Sequence, residues 1–464
     1  MTFPKHLLQT LILGLTAFIF VACQPVPGTS SPPSPSPTAA QPTAQPTATA
    51  TPSPLPTVTP SPEPSPTPSS SATPMPTPTP TAVPTPSATP VPTASPVAAL
   101  EFARIRTIAG NGQTSLAESG TSIETGSTQN NIGFSRTISD VDADKDGNLW
   151  ILDRSNGRLA YITPEIERPN SAGFDIRYRL YWVRSEELMD PSAMVRDEAG
   201  NFYIVESSFH RIVKLDKEFN RTIIAGTGQQ GYNGDRSATE AHLNRPSDIA
   251  IDAAGNLYIS DTGNHLIRKI TPEGQLRTLA GQYILDTKKE DEEDEDEVPS
   301  FLPIGATTGD GGSAFAARVD TPTYLAVDGQ GAVYFSSASN TIRRIYQDRI
   351  ERYAGSGIFG FNGEDDVRKD LAHMNIPTDL AMGSDGLLYF VDSRNYRIRR
   401  VNAAGFVETV AGNGREGDYL ESSADLRATE FNATTLTFDM QGNFYFFDAS
   451  HIRLRMGENA QLTN

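Results

Sequence analysis

The chain has 464 residues, and 25 of its 35 prolines fall between Pro25 and Pro96. Residues 24–98 hold no Lys or Arg and one acid, Glu63, so a unit with a core to bury must lie in the 364 residues from 101 onward. The net charge of −18 resides in that part, which disfavours general binding to phosphate backbones unless one face is locally basic, and the single cysteine excludes an internal disulfide framework or a Cys-rich metal knuckle.

At the N-terminus, Lys5 precedes the apolar stretch Leu7 to Ala22, which is interrupted only by Gln9, Thr10, Gly14 and Thr16. Sixteen residues are short for a membrane span and right for a cleaved export signal over residues 1–22. Its end, Phe20-Val21-Ala22-Cys23, resembles the bacterial lipobox, with Phe20 where Leu is commoner. That resemblance implies lipidation of Cys23 and, with Gln24 rather than Asp next, delivery to an outer membrane if the cell has one. Residues 23–100 then read as a disordered, Pro/Thr/Ser-rich tether, because a segment with so little to bury does not recover its ordering entropy.

From residue 101 the chain repeats. The segment Ile249 to Ile270 recurs near Val195, Leu325 and Leu380, with more divergent copies around Gly147 and Gly442. The turn glycines Gly147, Gly200, Gly255, Gly331, Gly386 and Gly442 stand 53, 55, 76, 55 and 56 residues apart, and the long interval contains the acidic run Glu290 to Glu297. Such a block of like charge reads as a solvated loop rather than a contact site. Each unit predicts four short strands, the second apolar on both faces and therefore sandwiched between neighbours. Trp150, Tyr203, Tyr258, Tyr334, Tyr389 and Tyr445, each three residues after a turn glycine, are expected to pack between units rather than to stack on a ligand. The sixth unit ends without a fourth strand, and residues 104–110 resemble one, so this first strand is expected to close the last sheet.

Residues 225–270, with their AGTG, YNGD, AIDAAGNLYISD and NHLIRKI segments, resemble the NHL-repeat family, and the resemblance extends over nearly all of residues 101–464. It implies an all-β, six-bladed β-propeller that displays a binding face, and it names no ligand.

Three motifs invite chemistry. Asp142 to Asp153 spells a calcium loop, but Gly147 and Trp150 place it on a repeat hairpin. Asp153, Asp261, Asp392 and Asp448 precede the next turn and read as turn chemistry, with Asn156, Asn264, Asn340 and Asn395 expected in left-handed backbone. Seven residues before the turn glycine, Asp140, Asp248 and Asp379 alternate with Ala193, Tyr324 and Thr435. In a closed ring that spacing sets three carboxylates around one channel mouth, suited to a hard cation or a cationic ligand; otherwise each caps its own loop or pairs with an arginine such as Arg245. His242 and His373 occupy equivalent positions in the loops before the third and fifth units, and are expected above the carboxylates. The first-unit equivalent is Phe134, so a three-histidine zinc site of the kind in propeller-fold amidating lyases lacks one ligand.

The sequence thus points to a lipid-anchored, extracytoplasmic propeller that binds a protein or glycan of the envelope or exterior through its long-loop face, without nucleic acid and with no established cofactor. The alternative is a metal-dependent lyase or lactone hydrolase with Ca or Zn near the axis.

Overall fold

The computed structural model describes residues 100–110, 122–124, 134–135, 137–170, 173–183, 188–285, 303, 305–363, 365–417 and 425–460, all within the second of two compact units, Thr89–Asn464. The expected signal segment, Cys23, the proline-rich stretch before Leu100 and the Glu290–Glu297 run lie outside the described residues.

Six antiparallel sheets follow one another along the chain. Blades two and four have four strands each: Pro191–Arg196, Phe202–Glu206, Arg211–Leu215 and Arg221–Ala225, then Pro322–Val327, Val333–Ser337, Thr341–Tyr346 and Arg349–Ala354. Blades three and five repeat this order and add a two-residue outer strand, Arg236–Ser237 or Val367–Arg368, drawn from the preceding long loop. Blade six consists of Thr437–Phe438, Phe444–Asp448 and Arg453–Asn459, and its fourth strand is Phe102–Ala109, paired antiparallel with Thr107 opposite Arg455.

Blade one departs from the short-strand expectation. Its outer strands, Arg158–Asn170 and Gly173–Trp182, run 13 and 10 residues and carry Ser122–Glu124 on their edge. The cause is visible in the chain: Phe174, Ile176, Tyr178, Leu180 and Trp182 keep a period of two well beyond the usual blade length, so nothing local ends the strand.

The second strands are buried along their whole length in blades one, three, four, five and six. Their side chains pack alternately against the two neighbouring blades, so the apolar core is divided into six clusters, one per blade junction. Ile138, Val141 and Ile151 of blade one meet Tyr445, Phe447 and Leu454 of blade six in one of them, which closes the ring. A closed ring leaves no inter-blade face for solvent, the condition that makes such sheets stable.

The six aromatics lie in these junctions, and their polar ends have a further partner. Tyr203, Tyr258, Tyr334 and Tyr445 donate their hydroxyls to Asp197, Asp252, Asp328 and Asp439, while Trp150 donates Nε1–H to Asp144 at 2.9 Å. Each aspartate also accepts main-chain N–H groups from its own hairpin, as Asp252 does from Ala254 and Asn256. Asp144 is thereby the clasp of a hairpin whose turn glycine has φ +81°, not the first part of a calcium loop. In blade five the aspartate has moved from position 383, which is Gly, to Asp385, which still accepts from Tyr389 at 2.8 Å.

Candidate functional site

Asp140, Asp248 and Asp379 stand at the start of the innermost strands of blades one, three and five. In blades one and five the register shifts there, and Asp379 has φ +34°, so the bulge turns its carboxylate out of the ladder. Asp140 accepts from Val141 N–H at 2.7 Å and from Met194 N–H of blade two at 2.8 Å. Asp248 accepts from Ile249 N–H and, at 2.5 Å, from Leu325 N–H of blade four. Asp379 accepts from Leu436 N–H of blade six at 2.6 Å and from the Leu380 amide. Each carboxylate therefore ties the inner strands of one blade pair, one to two, three to four and five to six. Main-chain amides hold Asp248, and not an arginine.

The three nevertheless share one electrostatic environment. Burial is the main reason that Asp140 and Asp379 lie well above the ordinary carboxylate range; next for Asp140 come Asp379 and Asp248, and next for Asp379 comes Asp248. Burial raises Asp248 to about 7 and also raises the Tyr324 phenol between them. Ionising all three at once is disfavoured, so the set retains protons near neutrality. Among the described residues no group of three or more His, Cys, Asp or Glu side chains is placed to hold a metal ion. Each oxygen of Asp140 and of Asp248 accepts one amide N–H, so the main chain fixes both carboxylates in place.

His242 and His373 do occupy matching places: their main-chain N–H groups donate to Asn233 and Asn362 Oδ1, each at 2.9 Å. The influences on the axial carboxylates come from one another, from Asp142 and from amides, with neither imidazole among them. Phe134, the blade-one equivalent, is buried edge-on against Phe447.

The second acidic set is structural in a fuller sense than turn chemistry. Asp261 and Asp392, both fully buried, accept from Asn244 or Asn375 N–H of the long loop and pair with Arg268 or Arg399 on the third strand. Burial outweighs those arginines, raising Asp261 to about 6 and Asp392 above its ordinary value. The asparagine expectation needs correction. Asn264, Asn395 and Asn156 use their side-chain amides to donate to Asp261, Asp392 and Asp153, and the left-handed residue is the following one, His265, Tyr396 or Gly157. Only Asn340 among the four is itself left-handed, at φ 53°, because its turn is one residue shorter.

What composition and motif reading missed is an apolar surface. Loops from fourth to first strands and from second to third strands emerge on the same end of an up-and-down ring, opposite the strand-one hairpins. On that end the loop entering blade five exposes Ile358, Phe359 and Ile376, with Phe359 74% exposed and bridged to Met374. The loop entering blade three has the same bridge, Gln230 to Leu243, but carries Gln229, Gln230 and Arg245 at the matching positions. Met189 and Phe209 of blade two are also exposed there. Aligning the two loops, residues 225–246 and 354–377, was the available signal.

The ring and its repeat define an all-β, six-bladed propeller carrying an NHL domain. Residues 104–295 match the family model described as the teneurin NHL domain. Mouse (Mus musculus) teneurin-3 is 25% identical over 301 residues, 57% of this chain and 10% of teneurin-3. NHL repeat-containing protein 2 of Bos taurus is 25% identical over 279 residues, 57% of this chain and 38% of that protein. The chain therefore spans a minor part of these relatives. Among solved structures, a Bacteroides thetaiotaomicron protein of unknown function shares the fold with TM-score 0.51 and 16% identity, covering 76% of this chain and 75% of that one. An auxiliary nutrient binding protein from Bacteroides ovatus does so with TM-score 0.50 and 14% identity, covering 77% and 76%.

Proposed function

We propose that the chain is an extracytoplasmic lipoprotein, anchored through Cys23, whose propeller is a non-catalytic binding module for a protein of the cell envelope or exterior. The observation that supports the binding reading is the replacement of Gln229, Gln230 and Arg245 by Ile358, Phe359 and Ile376 on otherwise matching, laced loops. Solvent gives no reason to expose apolar groups on a framework that accommodates polar ones, whereas a protein partner does. Ile358 and Ile376 offer a glycan neither a hydrogen bond nor a planar ring, whereas a protein surface can bury them together with Phe359. The anchoring reading rests on Lys5, the apolar Leu7 to Ala22 stretch and the lone thiol that follows it.

The test is affinity capture of the full chain from cells after mild crosslinking. Copying loop three onto loop five, as Ile358→Gln with Phe359→Gln, is expected to lower partner recovery about tenfold or more while leaving the melting temperature unchanged. The Cys23→Ser chain is expected to leave the membrane fraction and still recover the partner. Equal recovery by the double-glutamine variant would refute the binding face, and membrane retention of Cys23→Ser would refute the anchor.

A further inference from the structure

Three consecutive blade junctions carry one repeated contact on the long-loop end. The left-handed residues His210, His265 and Asn340, at φ 53°, 57° and 53°, end the turns between second and third strands. Each reaches across to the following blade. Arg245 N–H donates to His210 Nδ1 at 2.9 Å, Thr321 N–H to His265 Nδ1 at 2.9 Å, and Ile376 N–H to Asn340 Oδ1 at 3.0 Å. The three donors are themselves left-handed, at φ 47°, 42° and 53°, and each precedes a proline, Pro246, Pro322 or Pro377. A residue before proline is pushed towards extended backbone, and a side-chain-bearing residue at positive φ is strained, most of all a β-branched one. The cross-blade bond thus holds a conformation the local chain resists.

A main-chain N–H only donates, so Nδ1 of His210 and of His265 must present its lone pair, which requires a neutral ring protonated at Nε2. Protonation of Nδ1 sets donor against donor and removes the bond, while the amide oxygen of Asn340 does not titrate. The loop entering blade three brings Arg245 towards His210, whose own turn adds Arg211, paired with Glu206. The loop entering blade four sets Asp320, Arg318 and the Pro303 carbonyl around His265, and Gly305 packs so closely on His265 and Asp320 that a side chain there has no room. Asp320 Oδ1 lies 3.6 Å from His265 Nδ1 and is the acceptor available to the protonated ring.

We propose that His210 and His265 are acid-released latches that hold the loops entering blades three and four in their strained form when neutral and free them when protonated, while Asn340 keeps the loop entering blade five closed at every pH. Burial lowers both imidazoles below their ordinary value, with Arg245 acting in the same direction on His210. A lowered folded value means that the latch contributes stability above the ordinary imidazole range and loses it as pH falls through the folded value. The released prolyl segments relax towards extended backbone, which changes the end of the propeller that carries the loops.

Amide hydrogen exchange on the full chain tests this, read as the protection of Arg245 and Thr321 relative to Ile376 in the same sample, so that the intrinsic pH dependence of exchange cancels. Between pH 7.5 and pH 5 that ratio is expected to fall about tenfold or more. In the chain carrying His210→Asn and His265→Asn, which copy the third junction, the ratio is expected to stay constant. A wild-type ratio that changes less than about twofold over the same range overturns the proposal, whether or not the double variant folds.

Discussion

Deleting residues 101–110 is expected to lower stability by about 5 kcal/mol or more, enough to unfold the ring or to depress its melting point by many degrees. The segment supplies the fourth strand of blade six, and its side chains enter two junctions at once. Ile108 and Ala109 pack between blades six and one, and Ile105 between blades five and six. All three are essentially inaccessible to solvent. Phe102 adds an edge-on contact with Phe444 at 4.7 Å between ring centres, and Arg106 pairs with Glu458 at 2.8 Å. Burying two isoleucines contributes roughly 4 kcal/mol, and the strand Arg453–Asn459 would be left as an open edge. Calorimetry of the shortened and full chains reads the difference. Coincident melting curves would show that the ring closes without this strand.

Asp392→Ala is expected to cost about 3–5 kcal/mol, read by urea unfolding at neutral pH. Its Oδ2 lies 3.1 Å from Arg399 Nη1 and 2.8 Å from Asn395 Nδ2, and its Oδ1 accepts from Asn375 N–H at 2.8 Å. Both charged side chains are fully buried. The variant removes the carboxylate that pairs with the buried Arg399 guanidinium, which also bonds to the His373 and Gly363 carbonyls and lies over the face of Phe361. A buried charge that loses its counter-charge costs far more than the intact pair contributes. Blade four shows the same requirement met differently: Ser337 replaces the aspartate, and Arg343 pairs with Asp310 of the preceding loop at 2.8 Å. A loss below about 1 kcal/mol would show that Arg399 does not depend on Asp392 as its counter-charge.

Much of the architecture was legible because it rests on local signals that repeat. A turn glycine, a second strand apolar on both faces and an aromatic three residues on recur six times, and repetition distinguishes them from chance. The hairpin clasp was visible only in part. The aspartate three residues before the glycine and the tyrosine three after it are on the page, but their bond depends on the hairpin bringing strand two back past its own turn. The roles of Asp140, Asp248 and Asp379 were less accessible still. Their spacing places them on one circle, yet the amides that engage them belong to the next blade, 54, 77 and 57 residues away. The asparagines misled because alignment on the aspartate conceals a one-residue difference in turn length, and backbone conformation follows the turn rather than the residue type.

Site-specific photocrosslinking in cells, from two equally accessible positions, tests whether the long-loop end is the binding face. Phe359 and Met440 are each 74% exposed, one on the loop entering blade five and the other on the hairpin at the opposite end of blade six. A photoreactive residue at 359 is expected to give a discrete protein adduct, and one at 440 none. Adducts from 440 alone, or the same adducts from both, would show that the long-loop end is not the binding face.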